Sequence, residues 1–289
     1  MSPRAPRSGV VSLPVLDLRR GPDHASEMRS QLLLGEVVEI GRAAVAGRWL
    51  LVRNLEDGYS GWVRSWGIVA VPPARGRRWL ARARHRVVPL HSEVRTSPAG
   101  GTPVTPLTWG ARVIAGPRRG RHRRVELPDG RRGWLAAREL AGVSSRPIRL
   151  IDRVQSLIGV PYLWGGRSPA GLDCSSFAQR VLAEQGVRLP RDARDQLEAC
   201  QPLGSRQSAR AGDLVFFGPI GRPGAHVGIY LGLGYYAHAR GRVMISSLDP
   251  DNLLHDNELS DQYRGVARPW RSWRPKRHRN ALTRIPQLP

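Results

Sequence analysis

The pattern of apolar and polar positions changes character near residue 148. Before that point, apolar runs are short and lie between turn-forming residues, as in "GEVVEIG" (35–41) and "GARVIAG" (110–116). Runs of this length, separated by glycine- and aspartate-containing turns, are typical of β-strands in small barrels or sandwiches. The N-terminal half of the chain is therefore predicted to be built from β-strands.

One segment of this half occurs twice. "EDGYSGWV" (56–63) and "PDGRRGWL" (128–135) share the pattern Asp-Gly-x-x-Gly-Trp-(Val/Leu), and each follows a β-rich run. An Asp-Gly turn between two strands indicates a hairpin. The repeated frame predicts two copies of one small β-barrel, with "VPPARGRRWLARAR" (71–84) as a linker between them.

The second half of the chain has longer periodic segments. Helical spacing of apolar residues predicts helices over 148–158 and 175–186, the second ending at a glycine. Strands are predicted over 213–218, 226–232 and 235–239. Helices followed by an antiparallel sheet indicate an α+β domain.

Two histidines are predicted to face each other across the last two strands. A turn containing Gly232 and Gly234 joins the strands, and a hairpin folded there places His226 and His238 opposite or nearly opposite. Both lie an even number of residues from the middle of the turn, so their side chains share one face of the sheet. One imidazole can then hydrogen-bond and orient the other.

Cys174 is the candidate nucleophile of this site. It falls in the first turn of the predicted 175–186 helix, after Asp173 as a possible cap. A helix N-terminus favours negative charge, so we expect a lowered thiol pKa and a reactive thiolate. A nearby imidazole completes a nucleophile, base and orienting group.

Two alternatives accompany this hypothesis. One cysteine and two histidines could also hold zinc, but no Cys-x-x-Cys or His-Glu-x-x-His pattern accompanies them. We therefore expect no metal and no cofactor. The second cysteine, Cys200, lacks comparable neighbours and is interpreted as an ordinary apolar residue.

The formal net charge of +23 suggests contact with polyanions. Lys276 is the only lysine, however, and near-exclusive use of arginine is typical of the composition of a GC-rich genome. The basic residues are scattered apart from "RRGRHRR" (118–124) and "RPKRHRN" (274–280). We expect no obligate nucleic-acid partner, and polyanion binding stays open as an alternative function.

The N-terminus contains no apolar run of signal-peptide length, and no run approaches the length of a membrane helix. The two cysteines do not form a disulfide framework. These observations predict a cytoplasmic protein with no membrane partner.

Several motifs in order resemble the NlpC/P60 cysteine peptidases. They are "GVPYLWGG", "DCSSF", "LPRDARDQ", "AGDLVFFG", "HVGIYLG" and "YYAHA", within about residues 148–270. The resemblance implies an α+β fold: a papain-like catalytic domain preceded by two bacterial SH3-like barrels. The implied division is a first barrel over 1–75, a second over 85–145, a peptidase domain over 146–273 and a basic tail over 274–289.

The resemblance also implies roles for individual residues. By position, Cys174 matches the nucleophile, His226 the base and His238 the orienting residue of a Cys-His-His triad. Tyr162 matches a tyrosine that helps to stabilise the oxyanion. Asp173 and Ser175 match positions that line the substrate subsites.

Two SH3-like repeats ahead of the peptidase domain resemble a dipeptidyl-peptidase subgroup of this family. Its members cleave γ-D-glutamyl–L-diamino acid bonds in murein peptides, with L-Ala-γ-D-Glu-diamino acid peptides as partners. An acidic residue and a tyrosine of the first barrel bind the free L-alanine amine. Glu27 and Tyr59 are the matching residues here, with Glu36 and Asp57 as competitors for the acidic position. A secreted endopeptidase that grips the cell wall through its SH3 repeats is the enzymatic alternative.

Overall fold

The computed structural model describes residues 7–98, 100–142, 145–221, 224–270 and 273–274. The chain divides into two compact units between residues 145 and 146. The predicted basic tail, apart from Arg274, lies outside the described residues.

The N-terminal unit contains two seven-stranded sheets of the same strand order. The strands of the first sheet are β1 (Arg7–Val11), β2 (Val15–Arg19), β3 (Met28–Leu33), β4 (Val37–Ala44), β5 (Trp49–Asn54), β6 (Ser60–Arg64) and β7 (Ile68–Val71). Those of the second are β8 (His85–Val87), β9 (His91–Arg95), β10 (Pro103–Thr108), β11 (Arg112–Arg119), β12 (His122–Glu126), β13 (Arg132–Ala136) and β14 (Leu140–Ala141). The orders, β3-β2-β6-β5-β4-β1-β7 and β10-β9-β13-β12-β11-β8-β14, correspond strand for strand.

The segment expected to be a linker is a helix instead. Residues Pro73–Arg82 form α1, which begins with proline at a position where the missing N–H costs nothing. Trp79 is buried with Val10 and Val37 of the first sheet, and its indole N–H donates to the carbonyl of Gly35 at 2.9 Å. The tertiary packing of one tryptophan therefore makes an arginine-rich, glycine-containing segment part of the core.

The C-terminal unit places its longer helices ahead of an antiparallel sheet, and a short helix precedes the last strand. Its helices are α2 (Leu150–Leu157), α3 (Cys174–Glu184), α4 (Ala193–Glu198) and α5 (Asn257–Asp261). A small hairpin joins β15 (Arg167–Ser168) to β16 (Gly171–Leu172), and the main sheet contains β17 (Cys200–Pro202), β18 (Leu214–Phe217), β19 (His226–Gly232), β20 (Tyr235–Arg240), β21 (Arg242–Ser247) and β22 (Tyr263–Pro269). The order is β17-β22-β18-β19-β20-β21, so the two strands that carry histidines lie inside the sheet.

The core of this unit lies between the sheet and α3. All the helix residues from Cys174 to Leu182 are buried, and α3 packs against β19 and β20. The helix thus delivers its N-terminal residue to the face of the sheet that carries the histidines. Within the described residues, no helix is long and apolar enough to cross a membrane.

Candidate active site

The first residue of α3 is Cys174, and a complete capping box holds this helix end. Oδ1 of Asp173 accepts the backbone N–H of Ser176 at 2.8 Å, and Oγ of Ser176 accepts the backbone N–H of Asp173 at 3.1 Å. The glycine-rich approach completes the arrangement, because the N–H of Gly165, which has φ of +75°, donates to Oδ2 of Asp173 at 3.0 Å. The position of Cys174 is therefore fixed from both sides by short polar contacts.

A buried arginine joins the same cluster. Arg191 is 2% exposed and donates to both carboxylate oxygens of Asp173, at 3.1 and 2.5 Å. It also donates to Oγ of Ser175 at 2.9 Å, and Ser175 donates to Asp173 at 3.1 Å. The side chains of Asp173 and Ser175, predicted to line substrate subsites, thus have partners inside the protein, and that role stays a prediction.

The two predicted histidines meet across β19 and β20. Nε2 of His226 lies 2.8 Å from Nδ1 of His238, and the rings are close to perpendicular. The register differs from direct opposition, because His238 pairs with Gly228 and an irregularity falls between Tyr230 and Gly232. The imidazoles are therefore diagonal neighbours on one face of the sheet.

Glycine at position 228 makes this diagonal contact possible. A Cβ atom there would lie 2.9 Å from the ring of Tyr236 and 3.3 Å from Cβ of His238. The space directly opposite His238 is thus left free of a side chain, and the side chain of His226, two residues away, extends into it.

His238 is fully buried and has a second partner. Its Nε2 lies 3.1 Å from Oγ of Ser246, and the Ser246 hydroxyl also hydrogen-bonds the phenol of Tyr236. A chain of polar groups therefore runs from His226 through His238 and Ser246 to Tyr236.

The sulfur of Cys174 lies against the same strand. The backbone N–H of Val227, the residue after His226, donates to this sulfur, as does the N–H of Ser175. Nε2 of His226 is engaged with His238, so Nδ1 is the ring nitrogen left for another partner.

The expected lowering of the thiol pKa is wrong. Burial, followed by the negative charge of Asp173, raises the pKa of Cys174 to about 12. The two backbone donors and Arg191 act in the opposite direction but are outweighed. The helix N-terminus donates a hydrogen bond to the sulfur, but this does not offset the cost of placing a thiolate away from water.

Both imidazoles are neutral for the same reason. Desolvation, and then His238, lowers the pKa of His226 to about 3, and burial lowers the pKa of His238 to about 4. The thiol of Cys174 and both imidazoles are therefore uncharged at neutral pH.

Tyr162 lies close enough to the site to share its electrostatics. Burial, and then the charges of Cys174 and Asp173, raise the pKa of Tyr162 well above its ordinary value. Its phenol therefore stays a hydrogen-bond donor across the physiological range.

The remaining predicted residues belong to the first barrel. Glu27 directly precedes β3 and lies 3.9 Å from Nη1 of Arg20. Tyr59 directly precedes β6, and the guanidinium of Arg29 lies over its ring at 5.2 Å. Their role in substrate binding stays a prediction.

Within the described residues, no group of three or more His, Cys, Asp or Glu side chains is arranged to hold a metal ion.

Sequence reasoning missed two residues of this site. Arg191 lies in the motif "LPRDARDQ", where an arginine gives no sign that it will be buried against a helix cap. Ser246 has no motif at all. The pairing of β21 with β20 brings it near His238, and only the register reveals that contact.

Comparison with known proteins identifies both kinds of domain. Residues 159–256 match the NlpC/P60 family model, and residues 18–68 match the model of the bacterial dipeptidyl-peptidase SH3 domain. Murein DD-endopeptidase MepS/Murein LD-carboxypeptidase of Escherichia coli K12 is 42% identical over 104 residues, which are 35% of this chain and 54% of that protein. This chain thus spans about half the length of that relative.

A second relative matches a longer part of the chain. Gamma-D-glutamyl-L-lysine dipeptidyl-peptidase of Bacillus subtilis is 28% identical over 237 residues, 77% of this chain and 76% of that protein. The crystal structure of an NlpC/P60 family protein from Bacillus cereus has a TM-score of 0.78 at 20% identity, over 91% of this chain and 99% of that one. The fold class predicted from the sequence is confirmed by this likeness.

The resemblance noted from the motifs is likewise confirmed: the chain carries an NlpC/P60 domain and, ahead of it, a bacterial dipeptidyl-peptidase SH3 domain.

Proposed function

We propose that this chain is a cysteine peptidase that hydrolyses the γ-D-glutamyl–L-diamino acid bond of murein peptides with a free N-terminal L-alanine. The observation that carries the proposal is the similarity to gamma-D-glutamyl-L-lysine dipeptidyl-peptidase, because it extends over 77% of this chain and 76% of that protein. A match limited to the peptidase domain would support peptidase activity without this bond specificity.

Cys174 and His226 perform the chemistry in this proposal. The sulfur attacks the γ-carbonyl carbon of D-glutamate while Nδ1 of His226 takes the thiol proton. The tetrahedral intermediate collapses as His226 returns that proton to the departing amine, which leaves a thioester. Water then attacks the thioester with His226 as base, releasing L-Ala-D-Glu and restoring the thiol.

His238 and Tyr162 support these steps. When His226 gains a proton, its Nε2–H donates to Nδ1 of His238, over the 2.8 Å contact. His238 must therefore carry its own proton on Nε2, where Oγ of Ser246 can accept it. The neutral phenol of Tyr162 donates to the oxyanion, a contribution of about 3 kcal/mol for a well-placed donor.

Substrate choice rests on the first barrel in this proposal. The matched SH3 segment, residues 18–68, includes both Glu27 and Tyr59. A carboxylate facing the ammonium of L-alanine favours peptides with a free N-terminus. An amide-linked L-alanine lacks this positive charge, and the group attached to its nitrogen would clash with the barrel. The proposed enzyme therefore acts on released peptides, which is a role in recycling cell-wall peptides.

A wall-cleaving endopeptidase is the second candidate. The 42% identity with a murein DD-endopeptidase over 104 residues favours it, although that match leaves out most of this chain. The two candidates differ in whether an intact wall is a substrate.

Hydrolysis of L-Ala-γ-D-Glu-diaminopimelate and of the L-lysine peptide, each with its amine free or acetylated, tests the proposal. We expect cleavage of the free peptides by the wild type and by Glu36→Gln. Acetylation and Glu27→Gln should each reduce kcat/KM by about tenfold or more. Cleavage of intact sacculi at the rate of the free tripeptide would favour the endopeptidase. Cleavage that survives acetylation would remove the recycling role.

A further inference from the structure

A strongly basic cavity lies at one end of the second barrel. Its volume is about 1030 Å³, and its lining includes two histidines and five arginines: His85, His122, Arg84, Arg118, Arg121, Arg123 and Arg138. They come from the start of β8 and the residue before it, from the β11–β12 hairpin and from the turn after β13. No carboxylate is among the lining residues in the described part of the chain.

The acidic side chains of this barrel are engaged elsewhere. Glu93 and Asp129 pair with Arg95 and Arg131 at 2.6 and 2.7 Å, and Glu126 and Glu139 also have partners outside the cavity. The two cavity arginines with side-chain hydrogen bonds give them to backbone carbonyls, at 2.7 and 2.9 Å. Among the described residues, the five cavity arginines form no ion pair.

The strand register brings positive charges together. Arg118 is directly opposite Arg123 across β11 and β12, and Arg119 is opposite His122. Like charges in directly opposed positions destabilise a strand pair. Arg123, after burial, also lowers the pKa of His85, as a positive potential in the cavity should.

The fold does not require these charges, because the first barrel lacks them. After the same register irregularity, the pairs at the corresponding positions of β4 and β5 are Ala43 with Leu50 and Ala44 with Trp49. One topology therefore accommodates apolar pairs in one copy and opposed cations in the other. The fold alone therefore does not explain why the second barrel has opposed cations at these positions.

We propose that this cavity is a binding site for a multiply charged, phosphate-bearing anion. Guanidinium groups bind phosphate oxygens in a bidentate manner, and several of them converging on one cavity favour a ligand with more than one phosphate. Among the described residues, the lining contains no tryptophan, tyrosine or phenylalanine, the best stacking surfaces for a nucleobase, so a chain of phosphate groups suits it better than single-stranded nucleic acid. The anion offsets the repulsion between Arg118 and Arg123.

Calorimetric titration of the full chain with sodium tripolyphosphate tests this site. We expect saturable binding of one anion per chain and weakening by about tenfold or more in the Arg118→Gln/Arg123→Gln variant. Arg119→Gln/Arg124→Gln is the matched control, since it removes the same charge from the same hairpin outside the cavity lining. The control should change the affinity by about twofold or less.

Further measurements distinguish specific binding in this cavity from a general attraction of the protein to polyanions. Orthophosphate should bind more weakly than tripolyphosphate, and the melting temperature should rise with tripolyphosphate in the wild type and the control only. Equal weakening in both double variants, several weak sites per chain, or tighter binding of duplex DNA with equal loss in both variants would overturn the proposal. Neither variant alters a residue assigned to peptide hydrolysis, so the outcome is independent of the proposed peptidase activity.

Discussion

The two cysteines are buried to a similar degree and have similarly raised thiol pKa values, but different groups contact their sulfur atoms. Cys174 is 7% exposed and Cys200 is 5% exposed, and burial raises the pKa of each thiol to about 12. A carboxylate adds to the effect in both cases, Asp173 for the first and Asp213 for the second. Burial and acidity therefore do not distinguish a nucleophile from a core residue in this protein.

The difference lies in what the backbone brings to each sulfur. Cys174 begins a capped helix and receives the N–H next to His226, whereas Cys200 begins the edge strand β17 and is paired with Pro269 of β22. A thiol with a raised pKa can act as a nucleophile only where a base takes its proton during attack. In the proposed function, the chemistry therefore belongs to Cys174 and His226 together and is not a property of the cysteine alone.

Replacing each cysteine with alanine tests this comparison, and the largest effect is expected for Cys174→Ala. We expect kcat/KM for L-Ala-γ-D-Glu-diaminopimelate to fall by about 10⁴-fold or more, because no other group can form the thioester. Mass-spectrometric detection of released L-Ala-D-Glu measures the loss.

Cys200→Ala is the matched control. It should leave kcat/KM within about twofold of the wild type and lower the free energy of unfolding by about 1 kcal/mol, which urea denaturation measures. A large loss of activity in a folded Cys200→Ala protein would show that the comparison is wrong.

The pH dependence sharpens the comparison, because it reports on the base. Protonated His226 cannot accept the thiol proton, so kcat/KM must fall as the pH decreases through the pKa of this residue. Since that pKa is lowered to about 3, kcat/KM should stay nearly constant from pH 8 to about pH 5 and begin to fall only well below the ordinary histidine value of 6.5. Initial rates between pH 3 and 8, with tryptophan fluorescence to follow unfolding, measure it.

A decline of kcat/KM centred near pH 6.5 in folded protein would contradict this account. It would mean that His226 titrates as a solvated imidazole.

The smallest effect is expected for Ser246→Ala. Loss of the hydroxyl leaves Nε2 of buried His238 without its acceptor, so the tautomer that serves His226 is less favoured. We expect kcat/KM to fall by about three- to tenfold, the usual contribution of one neutral hydrogen bond. Nitrogen-15 NMR of the histidines should show more of the His238 form with its proton on Nδ1.

Ser247→Ala is the control for that variant. Ser247 is equally buried in the same strand, but its hydroxyl accepts the backbone N–H of Asp249 and, among the described residues, forms no hydrogen bond with His226 or His238. Equal losses in the two variants, with no change in the His238 tautomer, would mean that Ser246 has no positioning role.

Local patterns predicted much of this protein. The repeated Asp-Gly-x-x-Gly-Trp frame predicted two matching barrels, and helical spacing predicted α2 and α3 close to their observed bounds. The even spacing of His226 and His238 placed them on one face of the sheet. These features depend on the periodicities of strands and helices, which a few consecutive residues specify.

Three features depend on packing that local patterns do not specify. The segment 71–84 is rich in arginine and contains a glycine, yet Gly76, Trp79 and Ala83 have helical spacing, and the helix depends on the burial of Trp79 against the first barrel. The histidines are diagonal because of an irregular turn and the space at Gly228. The thiol pKa is raised because burial outweighs the helix end, and burial depends on elements distant in the sequence.

The sequence by itself determined the repeat, the helices and strands that carry the candidate site, and the residue types that can perform thiol chemistry, because neighbouring residues encode all three. Only the tertiary structure decided that Arg191 fixes the cap beside Cys174, that Ser246 completes the chain from His238, and that the arginines of one hairpin line a cavity. Such contacts arise when strand register and packing bring together residues that are far apart in the sequence. Local sequence patterns do not specify which of these residues will meet.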